Sequence, residues 1–376
     1  MISEIPLKEY LERIIKVQKE IEKRDLEAIL IHSNESDFAN VLYLSNHWPL
    51  FETAGIIIPR TGEPILLIGP EAEPYAIERS KIRKIRKMLE YRESAEPEYP
   101  GISLSSFKDI FDEVSNGRGI KNLGLGDYTI LPLVVYDSIR KALGQDSQII
   151  TADDILGNLR SIKSQNEIEL IKQAHNITEK VLDDILGKIK PGLTEKQVVG
   201  MVLESMYMFG AECEAFPQYI FCGTSTKNAI SRTTYNTIKE NEMIQINIGA
   251  RFGGYSSAIE MKKFVKFGLE AHLKTYEWIK EGVFAAEVAE KFYNFYKING
   301  FEENYLYGPC HGTGIIEVER PWLETNSNYY LKENMTFMAD TFFQADNYGF
   351  RWEDGFRVTR TGVEVFSSKI QEILEL

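Results

Sequence analysis

The sequence predicts a two-domain α/β chain, on three observations. Short β-branched runs alternate with helical stretches over roughly the first 150 of the 376 residues. Two strongly helical segments follow, Ala152–Arg160 and Ser164–Ile189, with few breakers between them. Beyond them the chain turns strand-rich, with glycine-marked turns. The boundary falls at about 151–163, giving an N-terminal domain over 1–155 and a C-terminal domain over 156–376.

The first helix is predicted over 7–24, where Leu7, Leu11, Ile14, Ile15, Val17 and Ile21 recur at helical spacing. Its Lys/Glu-rich remainder reads as a solvated face. The run Glu27–His32 reads as a buried strand. Thr53–Pro59 and Pro64–Gly69 are two more strands, with a turn signal at Arg60–Glu63 between them. Ala72–Ser80 is predicted helical, Asn122–Gly126 a strand, Val134–Leu143 a helix and Gln148–Thr151 a strand. In the second domain Pro191 and Gly192 stop the long helix, and Thr194 with Gln197 matches a capping box for a helix near 194–209. Residues 243–265 read as a strand, a Gly-Gly turn and a second strand, and helices are expected near 270–281 and 285–299. The C-terminal domain has the pattern of two similar halves, each helices then strands.

Composition narrows the function. The chain is 43% hydrophobic, enough for a core in each domain. Its 43 basic and 56 acidic residues give a net charge of −13, and the pI is about 5.1. A phosphate backbone calls for a basic stripe, so neither nucleic acid nor an anionic membrane is expected as a partner. No run of about 18 apolar residues exists to span a bilayer, and the N-terminus lacks a signal-peptide layout. Cys213, Cys222 and Cys310 have no metal-type spacing, and their odd number suits a reducing compartment, so the expected location is cytoplasmic.

Three segments carry a resemblance. They are 246–260 (INIGARFGGYSSAIE), 308–314 (GPCHGTG) with Glu319-Arg320-Pro321, and 333–340 (ENMTFMAD) with 350–365 (FRWEDGFRVTRTGVEV). In this order and spacing they resemble the pita-bread family of creatinase, aminopeptidase P, prolidase and methionine aminopeptidase. The resemblance implies an N-terminal creatinase/prolidase-type α/β domain followed by a C-terminal pita-bread α+β catalytic-type domain. It also implies a homodimer.

The peptidases of that family hold two divalent ions with two aspartates, a histidine and two glutamates, since bridging carboxylates must offset the repulsion between two cations. Here the first aspartate position holds Asn247 and the second Ala258. The histidine is present as His311, the first glutamate position holds Asp340, and the last glutamate is present as Glu353. Two further family histidines fall at Ile230 and Val318. No dinuclear site and no cofactor are therefore expected. The metal-free creatinase branch also carries asparagine, alanine and then glutamate in the first motif, matching Asn247, Ala258 and Glu260, but its catalytic histidine falls at Ile230.

The leading expectation is a metal-independent hydrolase acting on a C–N bond of a small polar or short peptide-like ligand. His311, Glu260, Asp340 and Glu353 are the catalytic candidates; Asn247, Arg320, Arg351, Tyr255 and His47 are candidates for substrate binding. Arg251, Arg320 or Arg351 would polarise the carbonyl. Two readings compete with this one. The chain is a non-catalytic pseudo-peptidase that binds a peptide or metabolite, or it keeps one metal on His311, Asp340 and Glu353.

Each candidate also has a plain structural reading. His311 is then a retained, merely hydrogen-bonded ring; Asp340 and Glu353 pair with Arg351 or Arg357; Glu260 pairs with Lys262 or Arg251. Cys310 is a packed thiol. Glu317 and Glu319 are either a solvated pair or the pocket mouth. Tyr219, Tyr235, Tyr255, Phe216 and Trp352 are core or pocket wall.

Overall fold

The computed structural model describes residues 3–261, 266–344 and 348–367, with the side chains of Glu260, Met261 and Lys266 outside that description. The chain divides into two compact units, residues 5–160 and the described residues from 161 onward.

The N-terminal unit is built on a six-stranded mixed sheet. Its strands are β1 (Ala28–Ser33), β2 (Ala54–Pro59), β3 (Ile65–Ile68), β4 (Lys84–Lys87), β5 (Asn122–Leu125) and β6 (Gln148–Thr151), in the order β4-β3-β2-β1-β5-β6. The central strands β1, β2 and β3 are buried along their whole length, which is why they read as unbroken β-branched runs. The helix Leu7–Lys23 buries Ile14, Val17 and Ile21 of the spaced apolar residues, while Leu7, Leu11 and Ile15 are exposed. Three elements lie outside the sequence prediction: the helix Ala39–Ser45, the strand β4 with its Lys-Ile-Arg-Lys sequence, and the helix Phe107–Ser115, whose Ser106–Asp109 cap and Phe107, Ile110 and Phe111 spacing are the signal that could have found it. β4 is an edge strand, and basic side chains on an edge discourage pairing with a second chain.

The C-terminal unit opens on the helix Gln165–Leu186, capped by Ser164 and Glu167, and the helix Glu195–Met208, capped by the predicted Thr194–Gln197 box. Its strands are β7 (Cys213–Glu214), β8 (Tyr219–Cys222), β9 (Ile244–Ile248), β10 (Ala250–Phe252), β11 (Tyr255–Ser256), β12 (Ile259–Met261), β13 (Cys310–Gly312), β14 (Glu319–Leu323), β15 (Thr336–Gln344), β16 (Gly349–Val358) and β17 (Val363–Val365). The main sheet runs β14-β13-β15-β16-β12-β9-β8, with β17 also on β16, and β11-β10-β7 form a separate three-stranded sheet. Helices Lys266–Trp278 and Ala285–Ile298 pack in the same unit. Among the described residues no helix is long and apolar enough to cross a membrane.

The segment 243–261 differs from a simple hairpin. It makes four short strands, because the chain leaves the main sheet after β9, turns in the small sheet at Gly253 and Gly254 (φ +57° and +81°), and returns as β12. Gly249 is the pivot. A Cβ there would lie 2.1 Å from the Ser257 carbonyl oxygen and 2.6 Å from the Phe216 ring. Gly200, on the outer face of the helix Glu195–Met208, has nothing within 4 Å.

These two glycines should answer oppositely to alanine. Gly249→Ala must move backbone and is expected to cost about 1–3 kcal/mol. Gly200→Ala removes freedom from the unfolded chain and is expected to stabilise by about 0.4–1 kcal/mol. Urea unfolding monitored by circular dichroism separates them; equal effects would contradict the packing at Gly249.

Candidate active site

One face of the main sheet carries a buried ionisable cluster. The β15–β16 register sets Asp340 opposite Glu353, and β12 sets the Glu260 backbone opposite both Glu353 and Asn247. Because side chains alternate along a strand, Arg351 and Glu353 share a face while Phe350 and Trp352 take the other. His311 comes from β13, which pairs with β15 at Met338. All of Asn247, His311, Asp340, Arg351 and Glu353 are buried.

His311 is the centre of the cluster. Its Nε2 lies 3.4 Å from Glu353 Oε1, 3.6 Å from Glu317 Oε1 and 4.0 Å from Asp340 Oδ2. Its Nδ1–H donates to the Gly312 carbonyl at 3.1 Å, since a carbonyl can only accept. That bond leaves Nε2 as the atom facing the carboxylates. The Trp322 ring packs 5.2 Å away, centroid to centroid. Asn247 Nδ2 donates to Glu353 Oε2 at 2.8 Å. Arg351 Nε pairs with Asp340 Oδ1 at 3.1 Å, and its Nη2 donates to the Ala229 carbonyl at 3.0 Å and to the Tyr307 hydroxyl.

This environment separates the acid groups by proton affinity. Burial works against the His311 cation, yet Glu317, Glu353 and Asp340 raise its pKa to about 9. Burial also opposes the Glu353 anion, but hydrogen bonding from His311 and the Arg351 charge bring its pKa down to about 2. Glu317 is pushed well above the carboxylate range by burial and by the neighbouring Glu353 charge. Asp340 is raised by burial, with Arg351 holding it back. Close carboxylates with divergent pKa values are the arrangement from which acid and base roles are drawn.

Of the residues singled out from sequence, His311, Asn247, Asp340, Arg351 and Glu353 thus meet in one place. Glu260 lies in register with them by its backbone, and its side chain is outside the described residues. The other candidates have these surroundings. Tyr255 gives its hydroxyl to Glu167 Oε1 at 2.8 Å, bracing the small sheet against a helix start. Arg320 is exposed on β14. Arg251 is buried, donating to the carbonyls of Gly254 and Ala215 at 3.0 Å each and to that of Ile315, so it ties loops together rather than facing a substrate. His47 is buried in the N-terminal unit beside Tyr75, and desolvation lowers its pKa to about 4. Tyr235 lines a separate depression of about 660 Å³ with Cys222, Lys239, Glu242 and Tyr348. Trp352 packs on Gly268 in the core. The Cys310 thiol is buried, and desolvation raises its pKa.

The glycines beside His311 also serve packing. A Cβ on Gly312 would meet the Glu319 carbonyl at 2.7 Å, and one on Gly314 would meet the buried Lys163–Glu319 ion pair. Of two further members, Glu317 was left open between a solvated pair and the pocket mouth, and Tyr307 was not foreseen. Glu317 sits in the loop between β13 and β14, where alternation gives no guide, and it points inward while its neighbour Val318 is 44% exposed. Tyr307 carries no motif; its ring stacks on Phe342.

A two-ion centre does not fit these residues. Asn247 presents amide hydrogens to Glu353 where an aspartate would present lone pairs, buried Ala258 offers no ligand, and Asp340 is bound to a guanidinium. Among the described residues one group of ligand atoms remains within 4.8 Å of one another, those of His311, Glu317 and Glu353. This group differs from the expected trio, since Glu317 takes the place of Asp340.

The comparisons with known proteins agree with this architecture. Residues 169–360 match the model of metallopeptidase family M24, and residues 13–162 match the creatinase/prolidase N-terminal domain. The chain is 27% identical over 375 residues to an Xaa-Pro dipeptidase of Pyrococcus horikoshii, covering 96% of this chain and 99% of that one. It is 24% identical over 381 residues to the Xaa-Pro dipeptidase of Pyrococcus furiosus, covering 98% and 100%. Its backbone matches the crystal structure of the prolidase from P. horikoshii with a TM-score of 0.82 at 24% identity, over 96% of this chain and 100% of that one. An X-Pro aminopeptidase from Thermotoga maritima gives the same TM-score at 22% identity, over 96% and 99%. The chain has the expected pita-bread architecture behind a creatinase/prolidase-type domain, and it belongs to metallopeptidase family M24.

Proposed function

We propose that this chain is a hydrolase that cuts a C–N bond in a short peptide or small polar amide, and that it does so without a two-ion centre. The observation that carries the proposal is His311 Nε2 facing Glu353, Glu317 and Asp340, with Arg351 on Asp340. The likeness to Xaa-Pro dipeptidases supports the substrate class.

In this reading Glu353, ionised and held by Asn247, takes a proton from water as the water oxygen bonds to the carbonyl carbon. The His311 imidazolium gives a proton to the leaving nitrogen as the C–N bond breaks. The products are a carboxylic acid and an amine. The proton on Glu353 then returns to His311 across 3.4 Å, which restores the starting state. The His311 imidazolium supplies positive charge for the oxyanion, and Arg351 holds Asp340 beside it.

A second reading has one specific observation behind it. The His311 Nε2 to Glu353 and Glu317 distances of 3.4 and 3.6 Å approach the edge of about 3.3 Å expected for a tetrahedral ion with bonds of 2.0–2.1 Å. The Nδ1–H bond to Gly312 would then orient the ring, as such bonds do for metal-bound histidines. Those three residues would hold one ion, which would supply Lewis-acid chemistry.

The deciding assay is hydrolysis of a panel of Xaa-Pro dipeptides and creatine-type amidines, with chelator or with added Mn²⁺, Co²⁺ or Zn²⁺. Chelator-resistant turnover that falls about 10²–10⁴-fold in His311→Ala is the expected result. A requirement for added metal would favour the second reading. Saturable binding with no turnover under any condition would make the chain a pseudo-peptidase. The expected homodimer is part of the proposal, and sedimentation velocity reads it directly.

The charged state of His311 gives a pH test. Its folded pKa of about 9 lies above the ordinary 6.5, so the imidazolium's stabilisation is complete below about pH 6.5 and is lost as pH rises through about 9. The stability advantage of wild type over His311→Gln should shrink by on the order of 3 kcal/mol across that window. Urea titrations at several pH values measure it, and a pH-independent difference would refute an ionised His311.

A further inference from the structure

Arg351 is built into the cluster more firmly than a substrate-binding arginine needs to be. Its side chain is 7% exposed. Nε pairs with Asp340, and Nη2 is held by the Ala229 carbonyl and the Tyr307 hydroxyl. The guanidinium carbon lies 5.5 Å from the Phe342 ring centroid and 6.0 Å from that of Tyr307, and those two rings stack on each other. A guanidinium cannot lose its proton in a protein, so this is a permanent positive charge. It stands on the strand and the face that carry Glu353, diagonally across from Asp340.

Buried carboxylates set face to face, as Asp340 and Glu353 are, ionise together only beside cations. In the two-ion peptidases this chain resembles, metal ions meet that need. We infer that Arg351 is a resident cation that stands in for a metal ion: it withdraws Asp340 from any ligand set and offsets the carboxylate charge, so the cluster does not take up a divalent ion. The inference rests on the metal-free reading proposed above. It assigns Arg351 a positioning role set by charge, distinct from contact with substrate.

The consequence is specific. Without the guanidinium, the pocket gains a negative charge and Asp340, whose Oδ2 is already 4.0 Å from His311 Nε2, is released. His311, Glu317, Asp340 and Glu353 would then offer four ligands, the number a tetrahedral divalent ion takes.

The test is metal uptake by the full chain, stripped with chelator and then soaked in Mn²⁺, Co²⁺ or Zn²⁺, read by elemental analysis and by thermal unfolding. Wild type and Arg351→Lys, which keeps the charge, should retain almost no metal. Arg351→Met should retain about one equivalent per chain and gain roughly 5–10 °C in Tm when the ion is about 100-fold above its Kd. Both effects should vanish in Arg351→Met/His311→Ala. Arg351→Gln, which can keep hydrogen bonds to Tyr307 and Ala229, should behave as the Met variant and covers the case in which that variant fails to fold. No added uptake in either neutral variant, with wild type metal-poor, overturns the inference and leaves the metal-free hydrolase standing. One firmly held equivalent in wild type overturns both.

Discussion

The C-terminal unit depends on balancing buried carboxylates inside a sheet. The pairing of β15 with β16 places Asp340 directly across from Glu353, and the loop after β13 brings in Glu317. Three carboxylates crowded away from water repel one another and lose their hydration. His311 and Arg351 make the arrangement tenable, the first by facing all three acids and the second by pairing with Asp340. Asn247 adds an amide hydrogen bond to Glu353. The residues around the cluster serve this balance: Gly312 lends a carbonyl to orient the imidazole, and Tyr307 and Phe342 flank the guanidinium.

The surrounding architecture explains why the cluster stays in place. Its members stand on strands of the main sheet or, for Tyr307 and Glu317, on the loops before and after β13. The opposite face presents Phe350 and Trp352 to a hydrophobic core that includes Val181, Val202, Phe267 and Phe292. The same alternation that buries those rings puts Arg351 and Glu353 together on the face that carries the cluster. A second set of polar contacts supports the loops rather than the chemistry. Arg251 gathers three backbone carbonyls, and Lys163 with Glu319 fills the space over Gly314. Both would pass for site residues on composition, and both are structural here.

Members of this family share a scaffold whose function resides in a few side chains. In this chain the scaffold is retained over nearly its whole length, while Asn247 and Ala258 stand where two carboxylates would be needed for a two-ion centre. The chemistry proposed here therefore shifts positive charge from metal ions to protein groups that fold in with the sheet.

Much of this was legible in the residues. Strands buried on both faces, β1 to β3, announce themselves as β-branched runs, and the Thr194–Gln197 cap as a local hydrogen-bond pattern. The edge strand β4 did not, because its basic residues answer to its place at the rim and not to a propensity. The family resemblance carried by the motif segments named His311, Asp340 and Glu353 in advance. Sequence alone could not assign Glu317, Tyr307 or the role of Arg351. Glu317 lies in an irregular loop, where orientation follows from long-range packing, and the partners of Arg351 come from residues 229, 307 and 340. What local periodicity and hydrogen-bonding pattern encode, most of the elements and their order, the sequence determined by itself, and the resemblance of its motifs pointed to the missing carboxylates. Which charges neutralise which was decided by the tertiary structure alone, because electrostatic balance depends on distances between strands far apart in the chain.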